Sequence, residues 1–108
     1  ISKLVLKERR HLAEKGVVFV LMVRNVESQR IITEPEVISK GLVSEAMEGW
    51  LIEEAKRIVK EKLKQYDENL TDHAPAMDLQ EEVRIELRRF FNNNIGKKPT
   101  VIPILLDV

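Results

Sequence analysis

Two apolar runs decide the fold, Val17-Val18-Phe19-Val20-Leu21-Met22-Val23 and Val101-Ile102-Pro103-Ile104-Leu105-Leu106. Both are short and rich in β-branched residues, and this combination favours buried strands over helices. Neither run alternates apolar with polar residues, as a strand with one wet face would. We therefore expect a sheet that is apolar on both faces.

The residues between these runs supply cover for only one face of that sheet. They contain two helical segments, and two helices form one layer over one sheet face. A sheet of three strands about six residues long measures roughly 14 by 20 Å, which leaves an open area on the order of 300 Å². This is near the largest apolar patch that a monomer usually carries, so we expect a partner to cover it.

Composition restricts the class of protein. The 108 residues fit one small domain, and 18 Lys and Arg balance 18 Asp and Glu, so the chain lacks the strong net positive charge of many nucleic-acid-binding domains. The absence of cysteine excludes disulfides and thiolate sites. The sequence has neither a signal-peptide pattern nor a long apolar stretch, which predicts a cytoplasmic location without a membrane anchor. Because it begins at Ile1 without Met, we expect a fragment or processed piece of a longer protein, with residues 1–108 as a single domain.

Turn residues and apolar periodicity predict the element order. A strand over residues 17–24 is followed by a polar hairpin loop and a return strand over residues 30–33. Pro35 is expected to stop this ladder, so residues 34–43 are predicted to form a structured loop with a short extended piece at its end. Apolar stripes predict helices over residues 50–66 and 79–93, the second with Asp78 as its N-cap and Gly96 after its end. Pro103 cannot donate to a ladder, which predicts that the last strand lies at a sheet edge or contains a bulge. The fold class is α+β, a two-layer sandwich of about three mixed or antiparallel strands on two helices in the order β-β-α-α-β.

The sequence contains no catalytic or metal-binding pattern. The two histidines, His11 and His73, lie in different polar segments without the acidic neighbours that a zinc site needs. The glycines are dispersed singly, which excludes a glycine-rich phosphate loop. The aromatic residues Phe19, Trp50 and Tyr66 are interpreted as core residues. We expect this chain to be non-catalytic by itself and to hold no cofactor.

Two sets of residues are candidates for contacts with partners. Cations near turn residues form the first set, and they either bind phosphate groups or merely solvate loops. Apolar positions on the strands and on the second helix form the second set, for association with another chain. The cations are Arg9, Arg10, Lys40, Lys97 and Lys98, and the association candidates are Met22, Ile85, Ile104 and Leu105.

Three stretches in register resemble the C-terminal domain of ribonuclease J. They are Val5-Leu6-Lys7-Glu8-Arg9-Arg10 with Leu12 and Gly16, then Pro35-Glu36-Val37-Ile38-Ser39-Lys40-Gly41-Leu42-Val43, then Lys97-Lys98-Pro99-Thr100-Val101-Ile102-Pro103-Ile104. The resemblance covers nearly the whole chain. Lys40 and Leu42 stand where the family commonly has arginine and an aromatic residue, so the bidentate arginine fork is missing. Lys97, Lys98 and Thr100 likewise stand where arginine and methionine are common.

The resemblance implies a parent enzyme of the metallo-β-lactamase superfamily with a β-CASP insertion, a two-zinc site, and 5′ exonuclease and endonuclease activity on RNA. The zinc is implied for the parent and not for this chain. For this domain the resemblance implies a role in assembling a homodimer or homo-oligomer and in supporting the catalytic domains of the same chain. The alternative is an accessory module that contacts RNA through basic loops, and a third reading is a small-ligand regulatory domain.

Overall fold

A computed structural model describes residues 16–42, 45–70 and 78–108. Strand β1 spans Val17–Arg24 and strand β2 spans Glu36–Lys40. Helix α1 spans Glu45–Asn69, helix α2 spans Leu79–Ile95, and strand β3 spans Thr100–Asp107. The order β-β-α-α-β and the α+β class are confirmed. The predicted contact residues Arg9 and Arg10, and the two histidines His11 and His73, lie outside the described residues.

The three strands form one mixed sheet in the order β2-β1-β3. Strand β2 pairs antiparallel with β1, and β3 pairs parallel with β1 after the chain has passed through both helices. The register aligns one residue of each strand across the sheet, since Phe19 is paired with both Ile38 and Ile102. The central strand, β1, is also the most apolar of the three.

Pro103 lies on an edge strand, as its missing N–H predicts. The N–H of Thr100 donates to the Gly16 carbonyl at 3.1 Å, and the N–H of Val108 donates to the Arg24 carbonyl at 2.9 Å. Because strand residues alternate in direction, the backbone nitrogen of Pro103 points away from β1, where no bond is lost. Its carbonyl accepts a hydrogen bond from Gln80 Nε2 at 3.2 Å. Proline and glutamine together protect this edge of the described sheet from further strand pairing.

The predicted return strand over residues 30–33 is wrong. Ile31 makes only an isolated bridge with Arg24, and the second strand begins three residues after the predicted one ends. The preceding loop closes on itself, because Asn25 Oδ1 accepts hydrogen bonds from the N–H groups of Glu27 and Ser28, each at 2.9 Å. Strand β2 alternates exposed and buried residues and follows Pro35 directly. A proline just before a strand removes no ladder bond, so it starts this strand and does not stop the ladder.

Both helices are longer than their apolar stripes predict. Helix α1 begins five residues earlier, at Glu45, and this places Trp50 on its outer side with 55% of its surface exposed. The expectation that Trp50 lies in the core is therefore wrong, because the buried stripe starts one residue later, at Leu51. Helix α2 has the expected cap, since Asp78 Oδ1 accepts from the Glu81 N–H at 3.2 Å, and it ends at Gly96 with φ 66°.

The core lies between one face of the sheet and the two helices. Tyr66 is buried there, as expected. At the rim of the core Gly16 has φ +80°, and a Cβ built on it would lie 2.9 Å from the carbonyl oxygen of Lys40, so only glycine fits. The fully buried side chains of this core include Val18, Val20, Met22, Leu51, Ala55, Val59, Leu87 and Phe91.

Candidate functional site

The second face of the sheet has no cover among the described residues. Ile38 on β2 is 54% exposed, and Leu106 on β3 is 47% exposed. Phe19 is also exposed on this face, so the expectation that it is a core residue is wrong. The open face, as we call it, consists of Phe19, Leu21, Val23, Ile38, Ile102, Ile104 and Leu106.

The open face is continuous across the three strands. Ile38, Phe19 and Ile102 form one transverse row, because both isoleucines are paired with the phenylalanine. Leu21 is paired with Ile104 in the next row along the strands. Side chains opposite each other on one sheet face lie about 5 Å apart, so these rows form a single apolar surface.

Two opposite charges border the open face on its β2 side. Glu36 and Lys40 are exposed on the same face as Ile38, one at each end of the strand. Neither makes a salt bridge or a side-chain hydrogen bond with any residue that the structure describes. The exposed pattern of this strand is therefore acidic, apolar and basic, in that order.

Only one of the four predicted association residues lies on the open face. Ile104 is there, whereas Met22 is fully buried on the covered face and Leu105 is half-buried against the core. Ile85 is exposed, but it lies on α2. The apolar runs predict two apolar faces, but they do not indicate which face the helices cover. Because side chains alternate between the two faces along a strand, a wrong choice of covered face exchanges the buried and the exposed residues.

The predicted phosphate-binding cations that can be located lie at one end of the sheet. Lys40 and Thr100 are both paired with Val17, so the β2 end and the start of β3 flank the same residue. Lys97 connects the loops at this end, because its Nζ donates to the Leu42 carbonyl at 2.9 Å. The ammonium group of Lys97 therefore joins two loops of the domain through this hydrogen bond. Lys98 is exposed and lies beside α2.

Lys98 shares two adjoining clefts with cations of α2 that the sequence reasoning missed. The wider cleft has a volume of about 340 Å³ and the narrower one about 200 Å³. Both are lined by Arg84, Arg88 and Lys98, and we call the pair of clefts the basic groove. The i, i+4 spacing of the arginines was visible in the sequence, but the position of Lys98 next to them depends on how β3 packs along α2.

The arginines of the basic groove differ in their partners. Glu81 holds Arg84 in a bidentate ion pair, with Arg84 Nε 2.9 Å from Glu81 Oε2. This hydrogen bonding lowers the pKa of Glu81 and raises the pKa of Arg84. Arg88 makes no ion pair or hydrogen bond with a described residue, and the same is true of Lys98. The three cations that line both clefts are therefore one oriented arginine and two unpaired cations.

Residues 16–42, 45–70 and 78–108 contain no group of three or more His, Cys, Asp or Glu side chains that could hold a metal ion. Within the same residues, neither helix has the length and hydropathy that crossing a membrane requires. The only carboxylate oxygen among them that is buried without a hydrogen-bond partner is Glu82 Oε2, on helix α2.

The sequence model of the ribonuclease J C-terminal domain matches residues 4–108. The chain belongs to this family. It is 27% identical over 108 residues to ribonuclease J2 of Bacillus subtilis (strain 168), and this alignment covers all of the chain and 19% of that protein. It is 27% identical over 106 residues to ribonuclease J 1 of Streptococcus pyogenes serotype M3 (strain ATCC BAA-595 / MGAS315), with 98% of the chain and 19% of that protein covered.

The match confirms the resemblance that the three sequence stretches indicate. The chain spans about a fifth of the length of these curated relatives, so it corresponds to their ribonuclease J C-terminal domain and not to their whole length. Both relatives are named ribonucleases.

Proposed function

We propose that this ribonuclease J C-terminal domain is a non-catalytic association module, which joins two copies of an RNA-degrading enzyme through their open faces and so supports its activity. One observation carries this proposal, the transverse row of Ile38, Phe19 and Ile102 exposed across all three strands. Burial of apolar surface is the main favourable term in protein association.

The size of the open face predicts a weak contact. From strand spacing and rise, the area of the face is on the order of 300 Å². Stable dimers bury about 800 Å² on each partner. Two open faces alone are therefore expected to form a dimer that dissociates on dilution, and contacts elsewhere in the parent enzyme would add to its stability.

The charges on β2 favour a second copy of this chain as the partner. A two-fold axis makes each contact occur twice, with residue i of one copy against residue j of the other. Glu36 and Lys40 flank Ile38 on the same face, so an antiparallel arrangement of two β2 strands brings Glu36 of each copy to Lys40 of the other. The open face is complementary to itself in charge as well as in hydropathy.

The parent enzyme follows from the family. We infer a cytoplasmic ribonuclease of the metallo-β-lactamase superfamily with a β-CASP insertion, which degrades or processes RNA as a 5′ exonuclease and endonuclease. Its zinc is assigned to the catalytic domains of the same parent chain, since the described residues of this domain offer no ligand cluster. Those catalytic domains and RNA are then the further partners of this module.

The test is the mass of the 108-residue chain in solution, measured by light scattering and sedimentation over a wide concentration range. We expect a dimer that dissociates on dilution. Ile38→Glu places a charge in the centre of the row and is expected to abolish the dimer. The matched control is Met47→Glu, because Met47 is 47% exposed and lies on helix α1, outside the sheet.

Circular dichroism of both variants would show that they fold like the parent chain. A chain that stays monomeric at the highest concentration would contradict the proposal. So would a dimer that Met47→Glu weakens as much as Ile38→Glu does.

A second candidate function is RNA contact, and the unpaired cations Arg88 and Lys98 favour it. For this role we consider the basic groove, which contains Lys98 of the predicted cations, whereas the ammonium group of Lys97 donates to the Leu42 carbonyl.

A further inference from the structure

We propose that the basic groove between α2 and the start of β3 binds the sugar-phosphate backbone of single-stranded RNA, with Arg88 and Lys98 as its principal phosphate contacts. The assignment of RNA as the ligand rests on the proposed function as part of a ribonuclease. The groove itself is defined by the structure, because two adjoining clefts share the same three cations.

The charge of the groove is of one sign. Its lining contains four cations and no carboxylate, although the chain as a whole has no net charge. Arg89 at the outer rim lies 3.5 Å from Glu86, and Arg84 is held by Glu81. Arg88 lies between these two paired arginines and has no described partner of its own. A phosphate group entering the groove would complete its hydrogen bonding.

The geometry of the groove suits an extended strand of nucleic acid. Arg84 and Arg88 are one helical turn apart on α2, so their guanidinium groups follow each other along the cleft. Lys98 faces them from the segment before β3. Backbone alternation along β3 also directs the N–H of Val101 away from β1, toward the edge where the narrower cleft lies.

The wider cleft also contains groups that can contact bases. Ile85 is 40% exposed there and offers an apolar surface, and Asn92 adds an amide with donors and an acceptor. Unstacked bases stack on the planes of guanidinium groups without a strict sequence requirement, and Ile85 adds an apolar contact beside them. The groove thus combines phosphate contacts with a place for bases, which favours single-stranded RNA over a simple anion.

The groove is compatible with association through the open face. Helix α2 packs on the covered face of the sheet, through Val83, Leu87 and Phe91. The groove therefore lies on the helix side, and two copies joined by their open faces would leave both grooves accessible. An assembled ribonuclease would then carry one RNA contact for each copy of this domain.

The test is fluorescence anisotropy of a labelled oligouridine with the 108-residue chain, titrated at several salt concentrations. Three phosphate contacts on a single strand predict a log–log salt slope of about −2, which is a roughly 16-fold loss of affinity from about 50 to about 200 mM salt. Arg88→Gln and Lys98→Gln are each expected to reduce the slope by about 0.7 and the affinity roughly five- to tenfold at about 50 mM salt.

Arg57→Gln is the matched control, because Arg57 is an exposed helix arginine that contacts Glu54 at i,i+3, outside the groove. It is expected to leave affinity and slope unchanged. An equal loss in Arg57→Gln would overturn the proposal, since binding would then be a diffuse charge effect. Displacement of the probe by polyglutamate at lower concentration than by unlabelled RNA would also overturn it, in favour of an acidic protein segment.

The same assay separates this proposal from the association proposal. Ile38→Glu is expected to keep its RNA affinity while it loses the dimer. Absence of RNA binding in a chain that still dimerises would refute the groove and leave the open face untouched. Loss of RNA binding in Ile38→Glu would also refute the groove, because the open face would then be the RNA contact.

Discussion

Arg24 and Asp107 form the last pair of the β1–β3 register and are joined by a two-pronged ion pair. Arg24 Nε lies 2.6 Å from Asp107 Oδ1, and Arg24 Nη2 lies 3.0 Å from Asp107 Oδ2. Arg24 Nη1 also donates to the hydroxyl of Tyr66 on α1 at 3.1 Å. One guanidinium group thus joins the central strand, the edge strand and a helix, at the end of the sheet opposite the basic groove.

This ion pair predicts a pH dependence of stability. The hydrogen bond from Arg24 lowers the pKa of Asp107 below its ordinary value of 3.8. The ionised Asp107 therefore contributes its full stabilisation above pH 3.8, the ordinary pKa. This stabilisation is lost as the pH falls through the lower pKa that Asp107 has in the folded state. Asp107→Asn is therefore expected to lower the Tm by a few degrees at neutral pH, with a difference that disappears in acid. Calorimetry from neutral to strongly acidic pH measures this, with the exposed Glu27→Gln as control. A Tm difference that grows on acidification would refute the prediction.

The buried stripe of α2 predicts a large contrast between neighbouring positions. Leu87 is fully buried, so Leu87→Ala is expected to reduce the free energy of unfolding by about 2 to 5 kcal/mol. Ile85 lies two residues away on the exposed side, and Ile85→Ala is expected to change it by less than about 1 kcal/mol. Urea unfolding followed by circular dichroism compares the two variants. Equal effects would contradict the packing of α2 on the sheet.

Replacing either of two helix-associated glycines by alanine is expected to change the free energy of unfolding, but with opposite signs. Gly49 lies inside α1 and a Cβ there meets nothing within 4 Å, so Gly49→Ala is expected to raise the free energy of unfolding by about 0.5 to 1 kcal/mol. Gly96 ends α2 with φ +66°, a left-handed conformation that alanine adopts only at a cost. Gly96→Ala is therefore expected to lower the free energy of unfolding by about 1 kcal/mol, although a Cβ there would meet no atom within 4 Å. Both values come from the same urea titration. A stabilising Gly96→Ala would mean that this cap is not left-handed in solution.

The charges on β2 allow a direct test of the two-fold contact. Glu36→Lys gives two positive charges on each β2 and Lys40→Glu gives two negative charges, so each variant alone is expected to dimerise more weakly than the parent chain. A mixture of the two restores both Glu–Lys contacts and is expected to form a heterodimer. Sedimentation of the separate and mixed variants measures this. A mixture that associates no better than its components would exclude contact between Glu36 and Lys40.

Local patterns in the sequence were enough for much of the fold. The bounds of β1, the β-β-α-α-β order, the Asp78 cap and the Gly96 stop depend on neighbours a few residues apart. Pro103 also indicated an edge strand as one of two alternatives, because a missing N–H breaks no ladder bond where it points away from the sheet. The strand at Glu36–Lys40 was missed because Pro35 was interpreted as ending the ladder, whereas it precedes the strand.

The sequence by itself determined that the sheet would be apolar on both faces, because consecutive apolar residues in a strand point to both sides. Only the tertiary structure decided which face the helices cover, and with it that Met22 is buried while Phe19 and Ile38 are exposed. It also decided that Lys98 meets Arg84 and Arg88 in one groove. Such choices depend on the packing of residues distant in sequence, which local periodicity does not encode.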